Sequence, residues 1–291
     1  MLVTTAPTWA GSGATRALRR RERGENFPVA MRLLPRALSE DLHNVYAVAR
    51  LIDDTGDVPR NDRTRLLHDL SSDLAGVWRH VEPRHPVLGP LARTVRRRDL
   101  PEQAFQDLVR ANLQDQQVQR YRTFDDLLGY CALSANPVGR IVLAVFGVAT
   151  AQREAWSDQV CTALQLLEHW QDVAEDRRLG RIYLPLDDLA EFGVQERDLD
   201  GPRAVPALRR LMAHEISRAA RLLDAGAPLV ADLHGWSRVA VSGYVAGGRA
   251  AVDALWRTGG DVLGHGTAAR KTDTARHLAV LLAGEVRRPA R

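Results

Sequence analysis

The chain is expected to fold as one all-α domain, and three observations carry that expectation. Apolar residues recur at three- and four-residue spacing almost throughout, whereas no alternating strand pattern runs beyond about five residues. The 291 residues show no internal repeat and no Gly/Ser/Pro-rich linker between stretches of different composition. The strongest breaks, at Pro59, Pro83, Pro86, Gly180, Pro185, Gly201-Pro202 and Gly259-Gly260, fall between periodic segments.

In chain order the spacing predicts helices over 26–37, 39–57, 61–80, 85–97, 101–119, 124–132, 135–149, 152–178, 203–226, 228–233, 236–258 and 272–284. The second starts at Ser39 with acidic Glu40 and Asp41 behind it and stops before Pro59. Gly56 inside it costs up to about 1 kcal/mol relative to Ala, so a helix through that point needs tertiary or metal support. Pro101-Glu102 opens the fifth, and Thr123 with Asp126 three residues on opens the sixth as a capping box. The sixth and seventh carry Tyr130 and then Ser134, Ala135, Pro137, Val138 and Gly139, of which Ser134, Ala135 and Gly139 are small enough to admit a close helix approach or line a narrow apolar cavity. After the long helix ending at 178 the chain turns at Gly180 into an extended stretch, Arg181-Ile182-Tyr183-Leu184-Pro185.

Residues 1–24 are expected to be a disordered leader, 25–285 the domain and 286–291 a tail. Net charge is +4 and comes almost wholly from arginine, Lys271 being the only lysine. The basic runs Arg19–Arg23 and Arg96–Arg98 read as solvated helix ends; no aromatics interleave with them, and no nucleic-acid partner is expected. Cys131 and Cys161 lie in apolar helical surroundings without metal-ligand spacing, as reduced thiols of a cytoplasmic protein do. The longest apolar run, Ile141 to Ala149, is half of what a membrane span needs.

Two acidic clusters stand out: Asp53, Asp54 and Asp57 in one helix, and Asp172, Glu175 and Asp176 in another. In each, the outer aspartates are four residues apart and share a helix face, where they repel by about 0.2–0.5 kcal/mol even when exposed. The second cluster ends a polar stripe of Gln165, Glu168, Asp172, Glu175, Asp176 and Leu179, opposite an apolar face of Val160, Ala163, Leu164, Leu167, Trp170 and Ala174. A solvated stripe normally mixes in Lys or Arg, and this one has none before Arg177 and Arg178. Tyr46, Arg50, Asp53, Asp54 and Asp57 share one side of the first helix, with Val45, Val48, Ala49 and Ile52 on the other. Hard divalent cations favour carboxylate oxygens, and Mg2+ takes one or two of them plus phosphate oxygens and water; two facing pairs suit a magnesium diphosphate. Arg181 reads as a diphosphate contact, whereas Arg177 and Arg178 serve equally as diphosphate ligands or as complements to the helix dipole.

Together these residues resemble the squalene/phytoene synthase family over about residues 25–285. The likeness rests on Asn26-Phe27-Pro28-Val29, on Tyr46 and Arg50 leading into Asp53-Asp54-Thr55-Gly56-Asp57, and on Tyr130 with Val138-Gly139. Its most specific part is Gln165, Asp172, Asp176 and Gly180-Arg181-Ile182-Tyr183-Leu184-Pro185. The resemblance implies a class I isoprenoid synthase helical bundle around a central cavity. It also implies Mg2+ held by the catalytic Asp53, Asp57, Asp172 and Asp176, diphosphate contacts from Arg50 and Arg181, a cavity lined by Phe27, Tyr46, Tyr130, Gln165 and Tyr183, and a catalytic tyrosine, Tyr46, Tyr130 or Tyr183, that positions water or assists proton transfer. Glu168 departs from the family, which usually has a metal-ligating Asn there; its carboxylate can also coordinate, but its added charge and methylene leave three outcomes open: tighter metal binding, altered geometry or a spoiled site.

Trp170-Gln171 and the ending Gly260-Asp261-Val262-Leu263 with Arg270-Lys271-Thr272-Asp273 resemble the hydroxysqualene synthase branch of bacterial hopanoid pathways. That branch implies presqualene diphosphate as substrate, hydroxysqualene as product, and a sister synthase and a downstream flavoprotein as pathway partners. A thirty-carbon substrate implies peripheral contact with the inner face of the cell membrane. The alternatives are a synthase condensing two prenyl diphosphates to presqualene diphosphate, squalene or phytoene, and a non-catalytic scaffold of the same fold.

Overall fold

The computed structural model describes residues 34–56, 62–264 and 266–284. The expected leader and tail, most of the helix expected over 26–37, and the site candidates Phe27 and Asp57 lie outside the described residues. Within them the chain is helical, and its one β-bridge, Arg120 to Ile182, is isolated.

The helices are α1 (Arg36–Gly56), α2 (Arg63–Trp78), α3 (Leu88–Arg97), α4 (Glu102–Gln114), α5 (Phe124–Ser134), α6 (Asn136–Val145) and α7 (Ala151–Gln171). They continue as α8 (Val173–Arg178), α9 (Leu186–Glu191), a 3-10 turn (Glu196–Asp200), α10 (Pro206–Gly226), α11 (Pro228–Asp232), α12 (Gly235–Arg257) and α13 (Lys271–Leu282). α1 starts one turn before Ser39, whose N–H already bonds the Pro35 carbonyl at 3.0 Å. The capping box at α5 forms as expected: Thr123 Oγ1 accepts from the Asp126 N–H at 3.0 Å, and Asp126 Oδ2 accepts from the Thr123 N–H at 2.9 Å. α9 and the 3-10 turn, at six and five residues, are too short for a periodic signal to reveal.

α7 is the axis of the molecule. It packs against α5, α6, α10, α11 and α12, and Val160, Ala163, Leu166, Leu167 and Trp170 are buried in those contacts. α1 packs against α2, α3, α4 and α6 and buries Val45, Val48 and Ile52. Arg97 and Arg98, expected to be solvated, instead reach back to Asp41, which is fully buried on α1; the Arg98 Nε–Asp41 Oδ2 distance is 2.9 Å. Burial alone would raise the Asp41 pKa, but hydrogen bonds from Arg97, Arg98 and Thr94 outweigh it and hold it below the usual carboxylate range. Residues 124–145 match a membrane span in length and mean hydropathy alone. They fold as α5 and α6, broken at Ala135, with Leu127, Tyr130, Cys131 and Ile141–Val145 buried.

Candidate active site

The polar stripe of α7 leads from an apolar cavity to an acidic helix end. The cavity, about 220 Å³, is walled by Val138, Gly139, Val142, Val160, Leu164 and Tyr244, and Gln165 and Glu168 close one side of it. Gly139 serves both purposes expected of it, since it lines the cavity and a Cβ there would overlap the Ser157 hydroxyl and the Cys161 sulfur. Tyr244, on α12, was not singled out from the sequence; one tyrosine in an otherwise unremarkable helix gave no signal.

One turn beyond Glu168 the helix breaks. Asp172 closes α7 and precedes α8 with φ −106° and ψ 13°, so the expected helix 152–178 is two helices joined at this carboxylate. The Asp172 carbonyl still accepts from the Asp176 N–H at 2.8 Å, which keeps the second aspartate near the first. Partial burial first, then the charges of Asp176 and Glu175, push the Asp172 pKa up, and His169 only partly offsets them. A self-repelling all-oxygen group of this kind fits a hard divalent ion. Among the described residues no three acidic, histidine or cysteine side chains already converge at the spacing of one ion. Mg2+ is commonly held by only one or two carboxylates, with phosphate oxygens and water completing its shell.

α8 ends in a Schellman motif. Gly180 at φ +82° is its left-handed residue, its N–H bonds the Arg177 carbonyl at 3.0 Å, and the Arg181 N–H bonds the Asp176 carbonyl at 2.8 Å. This turn ties Arg181 to the acidic end of the stripe. The extended stretch then lies beside residues 119–122, with the Ile182 N–H on the Gln119 carbonyl at 2.9 Å and the Leu186 N–H on the Tyr121 carbonyl at 3.0 Å. Arg177 is committed to structure, bonding Asp200 at 2.7 and 3.0 Å and Glu196 at 3.1 Å, and Arg178 bonds the Ala174 carbonyl.

The anchored stretch drops Tyr183 into a cage of rings. Tyr183 stacks on His169 with centroids 3.6 Å apart and planes 12° apart, and lies 5.8 Å from both Tyr121 and Tyr130. His169 Nε2 is 3.2 Å from the Gln165 amide and Nδ1 is 3.8 Å from Asp176 Oδ2. Tyr130 donates to Asp115 Oδ2 at 2.9 Å. Burial, followed by the Asp115 charge, raises the phenol pKa of Tyr130 well above its usual range and that of Tyr183 to about 12. Burial pulls the Arg181 pKa down, but Tyr183 and Asp115 outweigh it and the guanidinium is held charged.

The first acidic helix reaches this cage through α4. Asn112 Nδ2 donates to Asp53 Oδ1 at 3.2 Å, and Asp115, one turn on, accepts from Tyr130. Arg50 pairs with Asp54 at 3.0 Å, and Tyr46 is half-buried one turn earlier on the same helix. The structure thus brings Gln165, Asp176, Arg181, Tyr130 and Tyr183 into contact around His169 and Asp115, with Asp53 joined to them through α4. Asn112, Asp115, His169 and Tyr121 were missed from sequence. They belong to no paired-carboxylate spacing, and only the fold gives them neighbours.

An all-α bundle whose apolar cavity ends in carboxylate-bearing helices has the layout of an enzyme acting on prenyl diphosphates. The chain belongs to the squalene/phytoene synthase family, whose model matches residues 20–278. It is 34% identical over 212 residues to the hydroxysqualene synthase of Rhodopseudomonas palustris, covering 72% of each chain. It is 32% identical over 218 residues to the phytoene synthase of Mycobacterium tuberculosis, covering 73% of this chain and 71% of the other. The crystal structure of squalene synthase HpnC from Alicyclobacillus acidocaldarius superposes with a TM-score of 0.78 at 37% identity, over 85% of this chain and 94% of that one. The protein is therefore a prenyltransferase-type enzyme with the helical fold of that family.

Proposed function

We propose that the protein converts presqualene diphosphate to hydroxysqualene with release of diphosphate, in a Mg2+-dependent reaction. The observation that carries this reading is the polar stripe of α7, which leads from the apolar cavity at Gln165 and Glu168 to Asp172 and the Arg181 turn. The 34% identical relatives in Rhodopseudomonas palustris and Zymomonas mobilis are both hydroxysqualene synthases, which favours this member of the family's chemistry.

Asp53, Asp172 and Asp176, with Asp57 and Glu168, would hold Mg2+, which when bound supplies positive charge opposite the departing diphosphate. Arg181, fixed by the Schellman turn, adds its planar fork to the diphosphate oxygens, and Arg50 serves the same end from α1. Apolar cavity walls and the faces of Tyr130 and Tyr183 restrain the carbocation and stabilise its charge. Tyr46, half-buried on α1, would contact the substrate or its capturing water. On this reading water captures the final carbocation, as the alcohol named for the hydroxysqualene synthase relatives requires. The enzyme collects its substrate at the inner surface of the cell membrane, between a sister synthase and a flavoprotein of the same pathway.

The test is to incubate the full chain and Mg2+ separately with farnesyl, geranylgeranyl and presqualene diphosphates. A thirty-carbon alcohol from presqualene diphosphate alone is the expected result, and phytoene or squalene overturns it.

A further inference from the structure

The acidic end of α7 lies about 30 Å from its start at Ala151, and the surroundings of that start carry almost no charge. Residues 146–152, 225–231 and 278–284 hold no charged side chain, in a chain of which 26% is charged. Hydrogen bonds draw these segments together. Arg153 bonds the Val148 carbonyl at 3.0 Å and Asp232 at 2.7 Å, which neutralises the one acidic side chain of residues 226–237. Gly226, where a Cβ would overlap the Trp156 carbonyl oxygen, lets the end of α10 lie against α7. Arg238 donates to the Leu281 and Leu282 carbonyls at 3.2 and 3.4 Å, which sets the end of α13 beside the start of α12. At this junction Trp236 is 39% and Leu282 41% exposed, two of the few large apolar side chains left open among the described residues. The apolar cavity reaches the same end, since Leu143, Leu229 and Val241 line it.

We propose that this end is the face on which the protein docks on an anionic lipid bilayer, with Trp236 and Leu282 at the headgroup boundary. It rests on the reading above for the reason to dock, a substrate dissolved in the bilayer. Tryptophan favours that boundary because its ring is apolar while its N–H finds polar partners there. Charge selects lipid over other occupants. The seven residues after Gly284, Glu285-Val286-Arg287-Arg288-Pro289-Ala290-Arg291, lie outside the described residues, but they start beside Leu282 and set three arginines against one glutamate. A basic segment next to an uncharged face tipped by an indole matches acidic headgroups over hydrocarbon, and the two attractions together give the reversible anchoring that neither gives alone. The same orientation holds the acidic end of α7 several screening lengths from a negative surface that would repel it, and sets the apolar end of the cavity next to the acyl chains.

The experiment measures co-sedimentation of the full chain with vesicles of phosphatidylglycerol and phosphatidylcholine, and with phosphatidylcholine vesicles alone. Binding to the anionic vesicles should be at least about tenfold stronger, since each arginine near such a surface is worth roughly fivefold. Trp236→Ser with Leu282→Ser should weaken anionic binding by about tenfold or more. Trp256→Ser removes a similarly exposed indole from the opposite end of α12 and should leave binding unchanged. Arg287→Gln with Arg288→Gln should weaken binding by roughly tenfold, and it keeps the test decisive if the serine variant misfolds. Unchanged binding in the folded serine variant or in the glutamine variant overturns the assignment, and so does equal binding to the neutral vesicles or an equal loss in Trp256→Ser. A concentration-dependent dimer dispersed by the serine substitutions also overturns it, because this face would then join two copies of the chain. Turnover of presqualene diphosphate dispersed in detergent reports on the proposed reaction separately: alcohol without vesicle binding overturns the docking face alone, whereas vesicle binding with the expected variant losses but no alcohol supports the face and overturns the reaction.

Discussion

Asn112 Nδ2 donates to Asp53 Oδ1 at 3.2 Å because Gly56 lets α4 lie against the end of α1. A Cβ at Gly56 would overlap the Asn112 amide oxygen. The obstructed atom is the tip of a side chain, so Gly56→Ala should displace Asn112 rather than the helix. Ala also favours the helix by up to about 1 kcal/mol, which offsets the lost hydrogen bond. Stability should therefore change little while turnover falls roughly 10- to 100-fold, the usual cost of losing a group that orients a ligand. Denaturant midpoints and steady-state rates on the same preparation check this; parallel loss of both would contradict it.

Gly180→Ala separates anchoring from chemistry at the other acidic helix. The φ of +82° costs a residue with a Cβ about 1–2 kcal/mol, with no steric clash to add to it. The turn carries the Arg181 N–H bond to the Asp176 carbonyl, so relaxing it moves the guanidinium. The expected outcome is a raised KM for the diphosphate substrate together with the stability loss. Gly180→Asn, which tolerates the left-handed region, should lie between the two.

Asp53→Asn and Asp172→Asn should each lower turnover by at least about 10²-fold, the scale of losing one strong electrostatic contact in a transition state. Asp172→Asn has a second expected effect. The folded state raises the Asp172 pKa, so between the unfolded and folded values it binds the extra proton, and stability falls as pH rises through that window. Without metal at neutral pH the variant should therefore melt above the unaltered protein. Unchanged turnover in both variants would mean the chemistry lies elsewhere.

The residues legible from sequence were those whose signal is local. A helix places Gln165, Glu168 and Asp172 on one stripe whatever surrounds it, and Gly180 announces its own turn. The break at Asp172 was hidden because a kinked helix keeps the same apolar spacing on either side of the bend. His169 carried no local signal, although it joins Gln165, Tyr183 and Asp176, because a lone histidine beside a tryptophan reads as core. Arg177 was misleading for the converse reason: its partners, Glu196 and Asp200, lie in a 3-10 turn about twenty residues on that the spacing did not reveal. Tertiary proximity, not residue type, decided each of these.

Glu215 offers a pH test away from the site. It is fully buried on α10, 3.2 Å from Arg218 Nη1, which also bonds Asp188 at 2.8 Å. Burial, and a hydrogen bond shared with Asp188, push Glu215 from 4.5 up to about 8 despite the arginine. The folded protein therefore carries Glu215 neutral at pH 7, where the unfolded chain has it ionised. Between those two values the native state holds one more proton, so this contribution is complete below about pH 4.5, declines as pH rises, and is gone above about 8. The loss is on the order of a few kcal/mol. Glu215→Gln keeps a neutral donor for Asp188 and cannot ionise, so its unfolding free energy should lack that slope and exceed the parent's at pH 8.5. Urea midpoints for both proteins at pH 5.5, 7 and 8.5 decide the matter: equal slopes would show that Glu215 is already ionised in the fold, with Arg218 compensating its burial.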